Sequence, residues 1–553
     1  MSANILTPNM LWKSFSLDKQ PKIDIVLSKQ KTDVTIEHFY VDGRTTKTGV
    51  VKTYVVSARP IAREDLPVLI VFTDGRNMSE ENIATAIARD GYYAFVINLY
   101  GKKQNKERFT IYPNDIEYAN YETAKNNLYA VKKDVKHTCW YEWSSASKYA
   151  VSAIKNKVGA RKIGIIGVKE FATASWQVVA FDKDISAYAS LFGFGWNAYK
   201  GLHKFGDKLE PQFNDETLMF VAGIESESYA MHVKCPTMIV TSTNSTEYNV
   251  DRAYDTIAKI KDDIFKAVDF SVNYTSSLDN DASINLKKFF DCNLKGSDDC
   301  LSSAKAEIRA EIKSGLIEVE ISPETSSVKE VCLYASEEVV NPAKRCWTKF
   351  SPKKIEDNKF VFEYLPYPKS KIAFFFARVT TENGFTFSTS IIAKKFSEKE
   401  IGVSHKSTVI YSGRQAFSES VFSPLTVDGL IAEKSEEVTV KNGPMSIAGV
   451  GAANGLKTFK INCAKDKPRE DAIFMFDVFS KEENEVTVKF IDSNDNEYFN
   501  TTAINGGKVW FNLKFDRLRF KTKEGMILKS YDKIIRMEIT YSKPCLINNA
   551  LWV

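Results

Sequence analysis

A buried strand of this chain ends in a turn whose residue types decide which chemistry is available. The strand Ile163–Ile166 leads into Gly167-Val168-Lys169-Glu170-Phe171, and helical spacing resumes at Phe171. At such a strand–turn–helix junction, Gly-x-Ser-x-Gly presents a serine nucleophile for ester or amide hydrolysis, with small residues around it because the turn is strained. Lys169 stands at the nucleophile position and Phe171 replaces the last glycine. The turn therefore predicts the scaffold of a hydrolase in which the nucleophilic hydroxyl is missing.

The elements that must position this turn alternate between strand and helix. A hairpin is predicted over residues 35–56, with its turn at Asp42-Gly43-Arg44. Continuous apolar runs, typical of strands buried on both faces, and intervening helical spacings then follow. The predicted strands are Val68–Phe72, Tyr92–Ile97, Lys162–Gly167, Ile185–Phe192 and Thr237–Thr241, and the predicted helices are Glu80–Asp90, Ser147–Lys157 and a helix from Phe171 onward. Right-handed crossovers would join them into a mostly parallel α/β sheet that ends near residue 297.

Beyond residue 300 the helical period disappears, and short alternating strands predict two antiparallel β-sandwiches. The first set is Leu316–Ile321, Val328–Tyr334, Phe360–Tyr364, Ile372–Thr380 and Phe385–Ser390, and the second is Ala472–Phe479, Glu485–Ile491, Lys508–Leu513, Ile534–Thr540 and Leu546–Val553. The predicted domains are therefore residues 1–297, 298–400 and 401–553.

Five segments in order give the first domain a resemblance to the α/β-hydrolase superfamily, in particular to its dienelactone-hydrolase-like and acetyl-esterase-like branch. The segments are Leu66–Gly75, which includes the loop expected to carry the oxyanion hole, Ala88–Gly101, the turn at Lys169, Val233–Val240 and Leu286–Gly296. The middle β region resembles an immunoglobulin-type module. The last resembles the galactose-binding-like jelly rolls that serve as carbohydrate-binding modules.

The hydrolase resemblance implies a triad, and each of its positions is occupied by an unsuitable residue. Such families need serine or cysteine at the elbow, an acid after a late strand and a histidine in a following loop. The aligned residues are Lys169, Ser245 in the loop Thr241–Thr246, and Ser276 in the loop Asn273–Asp279. Because all three roles are vacant, the sequence predicts no catalytic residues.

Other residues offer weak substitutes for the missing triad. Ser175 lies two helical turns beyond the elbow, where a packed helix residue is expected. The five histidines, His38, His137, His203, His232 and His405, are expected to have surface or capping roles. Burial would depress the pKa of Lys169 toward a reactive amine, but the adjacent Glu170 would oppose that shift.

Two groups of side chains are candidates for a ligand surface. Trp143 and Trp196 lie near the carboxyl ends of the predicted strands, where they would either form a ligand floor or plug the old pocket, and plugging is favoured. In the last domain, Trp510, Tyr498 and Asn512 are the possible equivalents of sugar-stacking and hydroxyl-binding residues. The loop Asp74-Gly75-Arg76-Asn77 could also accept an anion at a helix N-terminus.

Composition indicates a packed globular protein with neither a nucleic-acid nor a membrane role. The 75 basic and 70 acidic residues give a net charge of +5, and lysines alternate with acids. No secretory signal or long apolar run is present in this sequence, which favours a cytoplasmic location, association with the cytoskeleton included. The eight cysteines lack metal-site spacing and are expected to be reduced, Cys292 and Cys300 included. No cofactor and no metal are predicted.

These observations favour a non-catalytic pseudohydrolase that acts as a structural, scaffold or protein-binding component of a larger assembly. Two alternatives stay open. One is a carboxylic-ester hydrolase with relocated catalytic groups, and the other is a carbohydrate-binding protein.

Overall fold

The computed structural model describes most of the 553 residues. The described residues are 4–61, 63, 65–73, 79–103, 106–159, 161–206, 212–297, 304–311, 316–322, 325, 327–356, 358–368, 370–396, 408–413, 421–425 and 437–553. Their contacts divide the chain into two compact units. The first contains residues 1–240, 247–269 and 285–304, and the second contains 241–246, 270–284 and 305–553. This division into two units does not test the three predicted domains, which stay a prediction.

A nine-stranded, mostly parallel sheet is built from the N-terminal half of the chain. Its strands are β1 (Ile23–Gln30), β2 (Val34–Thr45), β3 (Val50–Pro60), β4 (Val68–Thr73), β5 (Tyr93–Asn98), β6 (Ile163–Val168), β7 (Ile185–Leu191), β8 (Thr237–Ser242) and β9 (Lys266–Ser271). The order is β1-β2-β3-β5-β4-β6-β7-β8-β9. Strands β5, β4, β6, β7 and β8 run parallel, whereas β1, β2 and β3 add an antiparallel extension. The predicted α/β architecture is confirmed.

Helices connect these strands. They are α1 (Pro8–Trp12), α2 (Glu80–Arg89), α3 (Tyr121–Ala124), α4 (Cys139–Val158), α5 (Glu170–Val179), α6 (Asp215–Gly223), α7 (Ser226–Tyr229), α8 (Ala253–Ile257) and α9 (Asn280–Phe290). Of the helices in the described ranges, none combines the length and apolar composition that a membrane crossing requires.

Two local predictions in the first half need correction. The helix predicted from Ser147 begins at Cys139, because the Thr138 side chain caps it by accepting the Tyr141 N–H at 3.4 Å. The hairpin turn lies at Thr46–Gly49, where Thr46 N–H donates to Gly49 O at 2.7 Å. Between Asp42 and Thr45 the strand register shifts instead of turning, and such an irregularity absorbs the Asp-Gly pair within a continuous strand.

Antiparallel sheets form the C-terminal half, as predicted. Between residues 306 and 395 the strands are β10 (Ala306–Glu311), β11 (Leu316–Ile321), β12 (Val328–Glu337), β13 (Thr348–Phe350), β14 (Lys354–Glu356), β15 (Lys359–Glu363), β16 (Ile372–Thr381), β17 (Thr386–Ser388) and β18 (Ile392–Lys395). They form a four-stranded sheet, β10-β11-β15-β14, and a five-stranded sheet, β13-β12-β16-β17, in which β18 also pairs with β16.

The last β region has its own pair of sheets around one hydrophobic core. Its strands are β19 (Val409–Tyr411), β20 (Ser423–Pro424), β21 (Thr439–Asn442), β22 (Ala448–Gly451), β23 (Leu456–Thr458), β24 (Phe474–Phe479), β25 (Asn484–Asp492), β26 (Glu497–Ile504), β27 (Phe511–Phe515), β28 (Ile534–Tyr541) and β29 (Leu546–Trp552). One sheet has the order β21-β22-β29-β24-β27, with β19 paired to β29, and the other β20-β23-β28-β25-β26. Phe474, Phe490 and Trp552 meet in the core with ring centroids 4.9–6.2 Å apart.

One cysteine differs from expectation. Cys292 is disulfide-bonded, which corrects the prediction that it is reduced. Cys300, the cysteine nearest to it in sequence, lies outside the described residues. Six other cysteines are free and buried, namely Cys139, Cys235, Cys332, Cys346, Cys463 and Cys545.

Candidate functional site

The turn between β6 and α5 has the strained backbone that a nucleophile elbow requires. Lys169 adopts φ 51° and ψ −127°, a conformation that residues with a side chain rarely occupy. Its N–H donates to Leu191 O at 2.8 Å, and its C=O accepts the Ala172 N–H at 3.1 Å. The backbone of the turn is therefore fixed at both ends by strand β7 and helix α5.

Two glycines allow the close approach that holds this turn in place. A Cβ at Gly193 would overlap the Cβ of Ala172 and lie 2.5 Å from Lys169 O. One at Gly167 would overlap Ser175 Oγ and lie 2.7 Å from the Ala172 Cα. The strain at Lys169 persists because packing on both sides leaves the backbone no room to relax.

The side chain of Lys169 is held by a carboxylate. Its Nζ lies 3.4 Å from Oε1 of Glu247, and the two side chains are 12% and 38% exposed. Tyr248 follows in sequence and donates its hydroxyl to Lys169 O at 3.4 Å. Burial raises the pKa of Tyr248 well above its ordinary value, and the nearby charges of Glu170, Glu247 and Glu225 add to the effect. An ion pair thus occupies the position where an elbow presents its nucleophile.

The two residues after Lys169 are also bound into the first unit. Glu170 accepts a hydrogen bond of 2.7 Å from the Tyr121 hydroxyl. Phe171 is fully buried, with its ring centroid 5.0 Å from that of Trp143. The indole N–H of Trp143, itself fully buried, donates to Ala119 O at 2.8 Å. Trp143 is therefore a core residue, which agrees with the favoured expectation of a plug and not with the alternative of a ligand floor.

Ser175, the serine nearest the elbow along α5, has its hydroxyl committed to structure. Its Oγ donates to Ala172 O at 2.7 Å and shares a second hydrogen bond of 2.7 Å with the Tyr188 hydroxyl. The residue is fully buried. These contacts are those of a packed helix residue.

The loops aligned with the missing acid and histidine belong to the second unit. Ser245 is buried, and its N–H donates to Ser242 O at 3.2 Å, whereas Ser276 is half-buried in a bend. Their neighbours carry the strong contacts. Asn244 Nδ2 donates to Arg345 O at 2.6 Å, and Asn273 exchanges two hydrogen bonds of 2.9 Å with the backbone of Trp347. In the loops where a triad would place its acid and its base, the strong contacts are hydrogen bonds from asparagine side chains to backbone.

Several histidines have structural partners. His38 shares a 2.6 Å hydrogen bond with the Tyr54 hydroxyl and lies 3.2 Å from Glu81, and His137 lies 2.7 Å from Asp134. His232 packs against Phe181, with ring centroids 5.2 Å apart. His405 lies outside the described residues, as does the loop of residues 74–77. Within the described ranges, no group of three or more His, Cys, Asp or Glu side chains is suited to a metal ion.

A buried pair of carboxyl groups, which sequence reasoning missed, lies beside the loop after β7. Glu225 and Glu227 are 0% and 2% exposed. Glu225 accepts from Ala198 N at 2.9 Å, and Glu227 accepts from Trp196 N at 3.1 Å. Burial raises the pKa of Glu227 to about 7; it also raises the pKa of Glu225 well above its ordinary value, with a further contribution from the charge of Glu227. Burial thus favours the protonated form of both carboxyl groups.

Trp196 is half-buried beside this pair, and one hydroxyl and two cations contact its indole ring. Its indole N–H donates to Thr256 Oγ1 at 2.8 Å. The guanidinium of Arg252 and the ammonium of Lys259 each lie 5.1 Å from the indole centroid. The ring is therefore already engaged by cations of its own chain.

The three candidates in the last β region are divided between two sheets. Trp510 donates to Pro444 O at 3.3 Å and lies against the backbone of Gly443 and Gly449. The exposed Asn512, two residues on, donates to Asp477 Oδ1 at 2.8 Å, and Asn549 donates to Asp477 Oδ2 at 2.7 Å. Tyr498 lies on β26, in the other sheet. The structure thus places Trp510 immediately before β27 and Asn512 within it, whereas Tyr498 lies in the other sheet.

Glu247 could have been found from the sequence, because it lies only two residues beyond Ser245 in the loop expected to supply an acid. The Glu225–Glu227 pair gave no such signal. Two acids separated by one serine usually indicate an exposed segment.

The mostly parallel sheet and the strained turn after β6 are features that this chain shares with α/β-hydrolase folds. Residues 52–263 match the Dienelactone hydrolase family. A comparison with curated proteins finds no match.

Solved structures of esterases resemble about half of the chain. Acetyl xylan esterase from Paenibacillus sp. R4 is 15% identical, with a TM-score of 0.39 over 52% of this chain and 92% of that one. Acetyl xylan esterase 1 from Thermoanaerobacterium sp. JW/SL YS485 is 13% identical, with a TM-score of 0.35 over 51% and 90%. A cold-adapted esterase from an Arctic intertidal metagenomic library is 13% identical, with a TM-score of 0.34 over 51% and 100%.

Proposed function

We propose that this chain is a non-catalytic pseudohydrolase that serves as a scaffold or protein-binding component of a larger assembly. One observation carries the proposal. The elbow keeps its strained backbone, but the residue at its apex is Lys169, and the ammonium is paired with Glu247. An ammonium held by a carboxylate has no lone pair with which to attack an ester carbonyl.

Ser175 and two cysteines of the first unit do not supply the missing group. The Ser175 hydroxyl donates to a backbone carbonyl, so it has no base to take its proton. Burial raises the pKa of the Cys139 thiol, and it raises that of Cys235 to about 12. Since the thiolate is the reactive form of cysteine, both groups are inert at neutral pH.

A binding role suits a chain of this composition and length. A stable protein partner typically covers about 800 Å² on each side and needs no deep pocket. The antiparallel sheets of the second unit and the sheet of the first offer such surfaces. The partner is a protein in the same compartment, for which we propose the cytoplasm.

A carboxylic-ester hydrolase is the second candidate. It is favoured by the match of residues 52–263 to a family named for a hydrolase. On this alternative, a group other than Lys169 would attack the ester.

An ester-hydrolysis assay separates the two candidates. Wild-type protein and the Ser175→Ala variant are incubated with p-nitrophenyl acetate and then with a fluorophosphonate, which forms a stable adduct with an activated serine. We expect hydrolysis at the protein-free rate for both proteins, and no change in intact mass after the probe. Turnover that survives a second purification would support the hydrolase, and the labelled peptide would locate its nucleophile.

The scaffold role has a separate test. Cross-linking of the endogenous protein in intact cells, followed by mass spectrometry, should join exposed lysines of this chain to one recurrent protein partner. A chain that is inactive toward esters and also free of such cross-links would contradict the scaffold while leaving the loss of catalysis intact.

A further inference from the structure

Two free cysteines of the second unit, Cys346 and Cys463, lie side by side. Cys346 precedes β13, and Cys463 follows a short 3-10 helix, Lys460–Asn462. The two side chains are close enough for Cys346 to raise the pKa of Cys463. Both residues are free and buried, with 2% and 8% of their surface exposed.

The backbone around the two thiols is held together independently of them. Asn462 Nδ2 donates to Lys344 O at 3.0 Å, which joins the segments immediately before the two cysteines. Arg345 is fully buried, and its guanidinium donates to Val339 O and Val340 O, each at 2.9 Å. The fold therefore holds together the two segments that carry the thiols.

A cavity of about 380 Å³ gives a small reagent a route to the pair. Both cysteines line it, and its charged lining residues are Glu337, Glu363, Lys460, Lys465 and Asp466. A cavity of this size accommodates a small-molecule ligand.

We propose that Cys346 and Cys463 form a thiol–disulfide exchange site, at which a small disulfide converts the two thiols into an intrachain disulfide. This site is independent of the proposed scaffold role and lies in the other compact unit from the elbow.

The exchange balances in two steps. One cysteine loses its proton, and its thiolate attacks a sulfur of the small disulfide, which forms a mixed disulfide and releases one small thiolate. The second cysteine then loses its proton and attacks the protein sulfur of the mixed disulfide. The Cys346–Cys463 bond forms, the second small thiolate leaves, and the two protons end on the two released thiols.

The surroundings keep the pair in its thiol form until such a reagent arrives. The neighbouring Cys346, burial, and the nearby charge of Asp466 hold the pKa of Cys463 well above its ordinary value. Since the thiolate is the attacking species, exchange is slow and depends on a reagent that enters the cavity.

The proposal is tested on the full-length reduced protein with glutathione disulfide as the probe. Peptide mapping without reduction should find a Cys346–Cys463 disulfide, with an intact mass lower by two hydrogens and no glutathione retained. The melting temperature should rise by several degrees, because the bridge closes a long loop. Cys463→Ser should instead leave Cys346 as a mixed disulfide with glutathione.

Cys545→Ser is the matched control, since Cys545 is also a buried free thiol but does not line this cavity. This variant should form the disulfide as the wild type does. If Cys463→Ser fails to fold, capture of wild-type protein by phenylarsine oxide, which bridges two adjacent thiols, replaces it and should block the reaction of both cysteines with iodoacetamide. Failure of glutathione disulfide to cross-link the wild type, or independent alkylation of the two cysteines after arsenical treatment, would overturn the proposal.

Discussion

The elbow of the first unit and the thiol pair of the second separate two properties that catalytic sites combine. At Lys169 the backbone keeps a strained geometry, but the side chain offers no nucleophile. Cys346 and Cys463 bring two nucleophilic sulfurs together, and neither has a left-handed backbone conformation. Backbone geometry depends on the packing of strands and helices, whereas the chemistry at its apex depends on one side chain. The backbone geometry can therefore persist when the side chain at the apex changes.

Among the changes proposed here, filling the space at Gly193 should have the largest effect on the elbow. In Gly193→Ala the new Cβ overlaps the Ala172 Cβ and crowds Lys169 O, so we expect a loss of about 3–4 kcal/mol in the free energy of unfolding. Urea denaturation measures it. Gly49→Ala is the control, because its nearest neighbour is Pro113 at 3.5 Å, and it should cost less than about 1 kcal/mol. Equal losses in the two variants would mean that packing does not hold the elbow.

The Glu225–Glu227 pair should make stability depend on pH. Because the folded-state pKa of Glu227 is about 7, above its ordinary 4.5, folding is favoured by the protonated form. That contribution is complete below pH 4.5 and is lost as the pH rises through 7. The difference corresponds to about 3 kcal/mol.

Glu227→Gln, which keeps an acceptor for Trp196 N–H, should flatten the stability profile between pH 5 and pH 8 and be more stable than wild type at pH 8. Denaturation at several pH values measures this. The control is Glu122→Gln, which alters an exposed carboxyl paired with Lys125. A wild-type profile without a decline across this interval would contradict the assigned pKa.

Strain at the elbow can be measured with two variants of one residue. Lys169→Gly and Lys169→Ala both remove the ion pair with Glu247, but only glycine tolerates φ 51° and ψ −127° without cost. We expect the glycine variant to be more stable than the alanine variant by about 1–2 kcal/mol. Thermal denaturation compares them. Equal stability would show that the turn relaxes and that the strain is not stored.

The sequence predicted the parallel sheet well because its strands carry continuous apolar runs, as in β4, β6 and β8. It missed β26, whose residues are mostly exposed or half-buried and show no clean alternation. It also missed the start of α4, because the aromatic run from Trp140 to Trp143 has no polar face and only Thr138 signals the helix.

Site residues were predictable where a motif fixed them and not where distant chain segments meet. Lys169 followed from its place after β6. Its partner Glu247 lies 78 positions further on, and no periodicity links the two. Asn244 and Asn273 bind backbone of residues 343–347, a contact that depends on tertiary structure alone.

The second unit is built from three separate segments of the chain, and their sequence order sets an order of events during synthesis. Residues 241–246 and 270–284 leave the ribosome before the remainder of that unit, which begins at 305. Asn244 and Asn273 must therefore wait for residues 343–347 to be translated before their amides find partners. At about 5–20 residues per second, that delay lasts several seconds. We expect chaperones to bind these two loops during this interval, which a nascent chain stalled before residue 343 would show.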